Sequence, residues 1–540
     1  MGVDYWAKAP QVRGQMVLFA TRLDEVIGAE HPVRVLEEIL SRIDWSPWEA
    51  GYDLTRGQPP IHPRVLAGVI LYGLLTRIRS SRVLEEALSV RLDFRWLAEG
   101  RTIDHTTLST FRKKHPEALK NLFVQIGLVA RELGHVTLSQ LAFDGTRMRA
   151  NSRRSGTRKV ADLVEARAAL AAKFAEMQAK AEAQDAADDH EERLVGQANA
   201  DQLDAATIAK QLARIQRQMA SLDAAMAEVE RVKAAGETVP KHIPLTDPQA
   251  RVTPNKDGGF APNYTPLATV DAASGMIVAC DVIAMTNEEQ HLVSQIEAVQ
   301  ANFGLEQPPS EMLADSMMLT GANLSALQER GVTLYSPSKQ GDLTTNPARR
   351  ADLTQPVPED QRDKLPTQTT KHKDGSKTTR LTKDAFIYDK AHNCYWCPHG
   401  QPLKYRTQST DTLATGTQIR THYTAQASAC ADCPLRAKCL SAKADHREIN
   451  RYQHDDLIEA HAQRMATPEA KKKYAARGYR GERPFAQIKH HFGARQFLLR
   501  GLKKVRMEWT WLVNAFNLRT LMTLIQARPG PDPETIIAAP

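Results

Sequence analysis

No stretch of this chain comes near the roughly 20 consecutive apolar residues that a membrane span needs; the run from Val69 to Leu75 is far shorter. Nor is Met1 followed by the basic segment and apolar core of a signal peptide. The expectation is a cytoplasmic protein with no membrane partner. Cysteine is scarce, six residues in 540, and five of the six fall between 394 and 439. That clustering argues against a secreted disulfide framework and for metal ligation in a reducing compartment. Net charge is +8 with a pI near 9.0, too modest for a ribosome-like chain but favouring nucleic acid over acidic small molecules.

Acids are nearly absent from one stretch. From Lys471 to Arg506 there are twelve Lys and Arg and a single acid, Glu482. Such a concentration is the footprint of a segment lying against a polyanion, with Tyr474, Tyr479 and Phe492 interleaved to reach sugars or bases. A glutamate there weakens the basic surface unless a metal ion stands between it and a phosphate. Pro484 is tolerated only in a first helical turn, so a helix is expected to begin near Glu482 and run through His490 and His491. Glu482 and Lys489 then share one face two turns apart, the acid for a cation and the lysine for a phosphate oxygen.

Apolar residues recur at helical spacing over Val33–Ile43, Arg64–Ile78, Arg82–Leu88 and Asp104–His115, predicting a helix-turn-helix-like domain whose phosphate contacts would be Arg112, Lys113 and Lys114. A strand over Val136–Phe143 closes on Asp144. The alanine-rich stretch Val160–Lys233 reads as a helical, coiled-coil-like insertion. After Pro240 the chain reads as loop up to Tyr264. Next come a hairpin about Ala272–Gly275, a helix over Glu288–Asn302, a short strand Met312–Ala314 closing on Asp315, a helix Ala322–Glu329 and a strand Val332–Tyr335. A polar, Lys- and Thr-rich run over 367–383 reads as a mobile or nucleic-acid-facing loop.

Two aspartates at the ends of neighbouring strands and a glutamate on a later helix can hold a pair of divalent cations for phosphodiester chemistry. Asp271, Asp281, Glu311 and Glu508 are rivals, Glu508 the strongest for the third place. In the cysteine segment, Cys394-x-x-Cys397 and Cys430-x-x-Cys433, with Cys439 beyond, have zinc-knuckle spacing, five candidates for four places.

The segments HPRVLAGVILYGLLTRIRSSRVLEEAL, DHTTLSTFRKKH, LAFDGTRMRAN, TDPQAR, LADSMM, CADCPLRAKC and ERPFAQIKHHFGARQFLLRGL resemble the DDE transposases of bacterial insertion sequences, specifically the insertion-sequence-1182-like group. The resemblance implies an α/β, ribonuclease-H-like mixed-sheet core and a two-step reaction, cleavage at the transposon end and strand transfer of the 3′ hydroxyl into target DNA. It implies Asp144, Asp315 and Glu482 as catalytic acids on Mg²⁺ or Mn²⁺. It implies Tyr474, Arg477 and Lys489 as DNA-binding residues of the Tyr-Arg-Glu-Lys signature. Four residues separate Arg477 from Glu482 where that signature has three, so Arg480 is an alternative arginine. It implies Cys397, Cys430, Cys433 and Cys439 on a structural Zn²⁺, with Cys394 in place of Cys439 as the alternative, and a homodimer on DNA in the nucleoid. The alternatives are a metal-dependent nuclease that hydrolyses without strand transfer, which the same acids could support, and a DNA-binding descendant whose chemistry is lost.

The expected layout is a helical DNA-binding domain over 1–130, core segments at 131–157 and 241–340, and the helical insertion at 158–240. A polar and zinc-binding insertion follows at 341–465, then catalytic helices at 466–528 and a disordered tail at 529–540.

Overall fold

The computed structural model describes residues 22–52, 59–191, 205–255, 258–338, 345–372, 374–413 and 416–527, and these divide into two units. The first takes in 22–129 with 490–493 and 510–527; the second takes in the described residues of 130–489 and 494–509. The expected tail at 529–540 lies outside the described residues.

In the first unit the helix Pro63–Leu75 is apolar on every side and buried from Val65 to Leu74, as the central helix of a bundle must be. Helices Pro32–Ser41, Ser81–Val90 and His105–Lys114 pack against it with one apolar stripe each, Val33, Leu36, Ile39 and Leu40 on the first of them. The sequence sets where they begin. The Asp104 carboxylate accepts from the N–H groups of Thr106 and Thr107, as an N-cap does. Trp48, fully buried, stacks on Phe111 at 4.9 Å and lies 6.0 Å from Trp511. Trp511, in the helix Leu502–Ala527, is therefore a packing residue.

The second unit is built on a mixed sheet. Its strands are β1 (Gln140–Gly145), β2 (Met148–Arg149), β3 (Arg251–Pro254), β4 (Phe260–Asp271), β5 (Ile277–Ile283), β6 (Glu311–Leu313) and β7 (Thr333–Tyr335). Central order is β5-β4-β1-β6-β7, with β2 and β3 paired to the first half of β4. β1 is antiparallel to β4, parallel to β6, and buried at Leu141, Ala142 and Phe143. Such an unbroken apolar run is what a strand covered on both faces requires.

β4 corrects the sequence reading, which left everything before Tyr264 as loop. Pro262 and Pro266 sit inside it, and what the neighbours use there is the carbonyl: Ala150 N–H donates to Pro262 and Thr146 N–H to Pro266. The helical insertion forms as expected from Leu163–Glu191 and Ala205–Ala234, zipped by Leu163, Leu222, Val229, Met177, Ile208 and Ile215. Its two ends are closed by strand pairing of Thr157–Lys159 with His242–Pro244.

The polar run is a second correction. It folds as an exposed two-stranded ribbon, Thr367–Lys371 with Lys377–Leu381, for which its threonines have β propensity. The cysteine segment forms a five-stranded antiparallel sheet from Ile387 to Tyr452.

Candidate active site

β1 and β6 run parallel side by side, so the acids that end them leave the sheet at one edge. The Asp144 side chain is 14% exposed. Asp315 turns the chain out of β6: its Oδ1 accepts from the N–H of Met317 at 2.9 Å, and its carbonyl accepts from Ser336 Oγ at 2.7 Å. The third acid comes from the helices Arg477–Gly481 and Arg483–His490, which meet at Glu482. Gly481 is buried against β1, where a Cβ would lie 3.8 Å from that of Asp144. The Asp144 carboxyl is held above its usual range, first by burial and then by Asp315 and Glu482, against the pull of Arg477. The three expected acids thus gather at one place.

Arg477 ties them. Its Nη2 stands 3.2 Å from Asp144 Oδ1 and its Nη1 3.9 Å from Glu482 Oε1, with the arginine 11% and the glutamate 62% exposed. Burial works against its charge, and Asp144 and Tyr474 outweigh it. Arg480 makes neither of these contacts. Lys489 Nζ donates to Thr146 Oγ1 at 2.6 Å and to the Arg147 carbonyl at 3.0 Å, pinning the turn that follows Asp144.

A fourth acid escaped the sequence reading. The Glu288 carboxyl is pushed up to about 7, by burial first and then by Asp144 and Asp315. It lies against Gly145, where any Cβ would collide with it. In sequence it opens the helix expected over Glu288–Asn302 as Glu-Glu-Gln, an ordinary acidic first turn that no periodicity signal sets apart.

The rival acids are engaged elsewhere. Asp271, fully buried, accepts from Leu138 N–H and from Ser274. Asp281 pairs with Arg506, Glu311 with Lys473, and Glu508 accepts from the N–H groups of Leu498 and Leu499.

The residues expected on DNA are placed unequally. Tyr474 packs on Ala142, Leu313 and Tyr335, and Phe492 is fully buried, so of the three interleaved aromatics only Tyr479, 70% exposed under the Arg483 guanidinium, faces outward. Arg112 Nη1 donates to the Arg79 carbonyl inside the helical unit, while Lys113 and Lys114 are exposed.

Cys397, Cys430, Cys433 and Cys439 line one cavity, and Cys394 stands apart, buried on its own strand. Burial, then the neighbouring thiols, raise Cys397 and push Cys439 up to about 11. Among the described residues, no group of three or more His, Cys, Asp or Glu is arranged to hold a metal ion as it stands. Among the described residues no helix is long and apolar enough to cross a membrane.

Residues 396–522 match the transposase DDE domain, and residues 21–114 match a second transposase domain, DUF772. The first match takes in Cys397, Cys430, Cys433, Cys439, Arg477, Glu482 and Lys489; Asp144, Asp315 and Cys394 precede it. No curated protein matches the chain. The two matches, one near each end, support a bacterial insertion-sequence DDE transposase, a family whose members act on DNA.

Proposed function

We propose that this transposase cuts the phosphodiester at the ends of its element by two-metal chemistry and transfers the freed 3′ hydroxyl into target DNA, with Asp144, Asp315 and Glu482 as the catalytic acids. The meeting of these acids around the buried Arg477 carries the reading. The donor set fits Mg²⁺ or Mn²⁺: every group is a hard carboxylate oxygen on a rigid element. Bound there, a pair of such cations would activate the attacking water or hydroxyl and stabilise the departing oxygen.

The rest falls to the chain. Arg477 fixes the Asp144 carboxylate and limits repulsion among the acids. Lys489 holds the turn after β1 through Thr146 and Arg147. Exposed Arg483, Arg495, Lys503 and Lys504, on and beyond the helix that follows Glu482, supply the field that draws in phosphates. The core order β5-β4-β1-β6-β7 supports the ribonuclease-H-like assignment. Cys397, Cys430, Cys433 and Cys439 would carry a structural Zn²⁺, since they share one cavity from which Cys394 is left out. We extend the reading to a cytoplasmic protein of the insertion-sequence-1182-like group that works as a homodimer holding two ends.

A DNA substrate carrying the sequences that flank the coding region tests this. Mg²⁺-dependent cleavage at the ends followed by joining to a second DNA supports it; cleavage with no joined product leaves a nuclease, and no cleavage leaves a DNA-binding descendant.

A further inference from the structure

We infer that Glu288 is a fourth carboxylate ligand of the cation site at Asp144 and Asp315. The inference rests on the proposed two-metal reading and adds a residue to it.

Position is the first argument. Glu288 opens the turn Glu288–His291 that leads from β5 into the helix Leu292–Phe303. It reaches the sheet edge from an element that supplies none of the three expected acids. Its carboxylate occupies the place where a Cβ on Gly145, the residue immediately after Asp144, would stand, so a side chain there would displace it. A solvated surface glutamate would need no such cradle. Its neighbour shows the contrast: at Glu289 the backbone carbonyl accepts from Asn323 Nδ2 at 2.9 Å, a role in fixing the turn.

Electrostatics is the second. Asp144 and Asp315 both act on Glu288, and Arg147 is the cation that answers it. No hydrogen bond or ion pair reaches the Glu288 carboxylate among the described residues. Arg477 serves Asp144 and Glu482. Three carboxylates at one end of the sheet, with Asp144 nearly out of solvent, are unfavourable without further positive charge. Divalent cations supply it, and carboxylate oxygens are the ligands they take. Glu482, 62% exposed, then closes the centre from the solvent side, and four acids share two cations.

Mn²⁺ titration of the metal-free full-length chain, followed by calorimetry and by the electron paramagnetic resonance of free Mn²⁺, tests the assignment without reference to catalysis. Wild type should bind two ions. Asp144→Asn should lose both. Glu288→Gln should weaken at least one site by tenfold or more, and Gly145→Ala, by displacing the carboxylate, should do the same. If Asp144→Asn loses metal while Glu288→Gln binds as wild type does, the inference about Glu288 is overturned and the parent reading stands. If Asp144→Asn binds as wild type does, the parent reading falls.

Thermal unfolding guards against a folding defect. With a chelator present, Glu288→Gln should melt no lower than wild type, since it removes a repelled charge, and on adding Mn²⁺ it should gain less. A lower melting temperature in chelator with an unchanged Mn²⁺ gain would show a structural glutamate and refute the assignment.

Discussion

The guanidinium of Arg477 stands 3.2 Å from the carboxylate of Asp144, both side chains nearly out of solvent. Removing one member of a buried pair leaves the other charge uncompensated. Arg477→Met is therefore expected to destabilise the metal-free protein by about 3 kcal/mol, read from urea unfolding in chelator. Adding Asp144→Asn should recover a large part of that loss. If the double variant is as unstable as the two single losses summed, the pair is not coupled.

Asp315 has its own support. Its carbonyl accepts from Ser336 Oγ, and the Ser336 carbonyl is 2.8 Å from His461 Nε2. His461 Nδ1 faces Arg464 at 3.3 Å, so the neutral imidazole donates through Nε2 and accepts through Nδ1. The group is held below its ordinary value of 6.5, by burial first and by Arg464, against the pull of the Ser336 carbonyl. A depressed histidine binds its proton more readily in the unfolded chain, so stability is lost as pH falls below about 6.5, by at most about 1.4 kcal/mol per unit for one proton. Unfolding midpoints between pH 5 and 7 should show this slope in wild type and a flatter one in His461→Gln. Equal slopes would rule the group out.

The cysteine cavity gives an elemental test. The purified chain should carry about one zinc per molecule, as a four-thiolate site takes one ion. Cys430→Ser and Cys439→Ser should lose it, and Cys394→Ser should keep it. Zinc retained in Cys439→Ser and lost in Cys394→Ser would exchange the roles of those two residues.

In the helical unit, Lys113→Ala and Lys114→Ala should each weaken DNA binding, with the slope of log affinity against log salt falling by about one for each phosphate that the side chain no longer neutralises. Arg112→Ala should instead lower the melting temperature of the free protein, because that side chain donates to the Arg79 carbonyl. An unchanged melting temperature with a reduced salt slope would return Arg112 to the DNA.

Much of this architecture was legible because local signals agreed with the fold. Asp144 and Asp315 each end a short apolar run, and burial on both faces makes such a run a central strand. Pro484 placed the helix after Glu482, and Asp104 capped its helix as expected. The failures have physical causes. Pro262 and Pro266 hid the first half of β4, because proline signals a strand's end unless its neighbours ask only for the carbonyl. Phe492 and Tyr474 sit among twelve basic residues, and charge density says nothing about which aromatic ring turns inward. Glu288 was invisible, since burial and the fit to Gly145 are tertiary facts that no spacing encodes.

Cleavage of end-bearing DNA by Asp144→Asn, Asp315→Asn and Glu482→Gln, alongside a binding measurement on the same DNA in Ca²⁺, reaches the centre of the account most directly. All three should lose strand cleavage in Mg²⁺ by at least a hundredfold, as the removal of a major transition-state stabiliser does, while keeping affinity for DNA within a few-fold. A variant that cuts at the wild-type rate would show that its acid holds no catalytic cation and would contradict the shared centre proposed for these three residues.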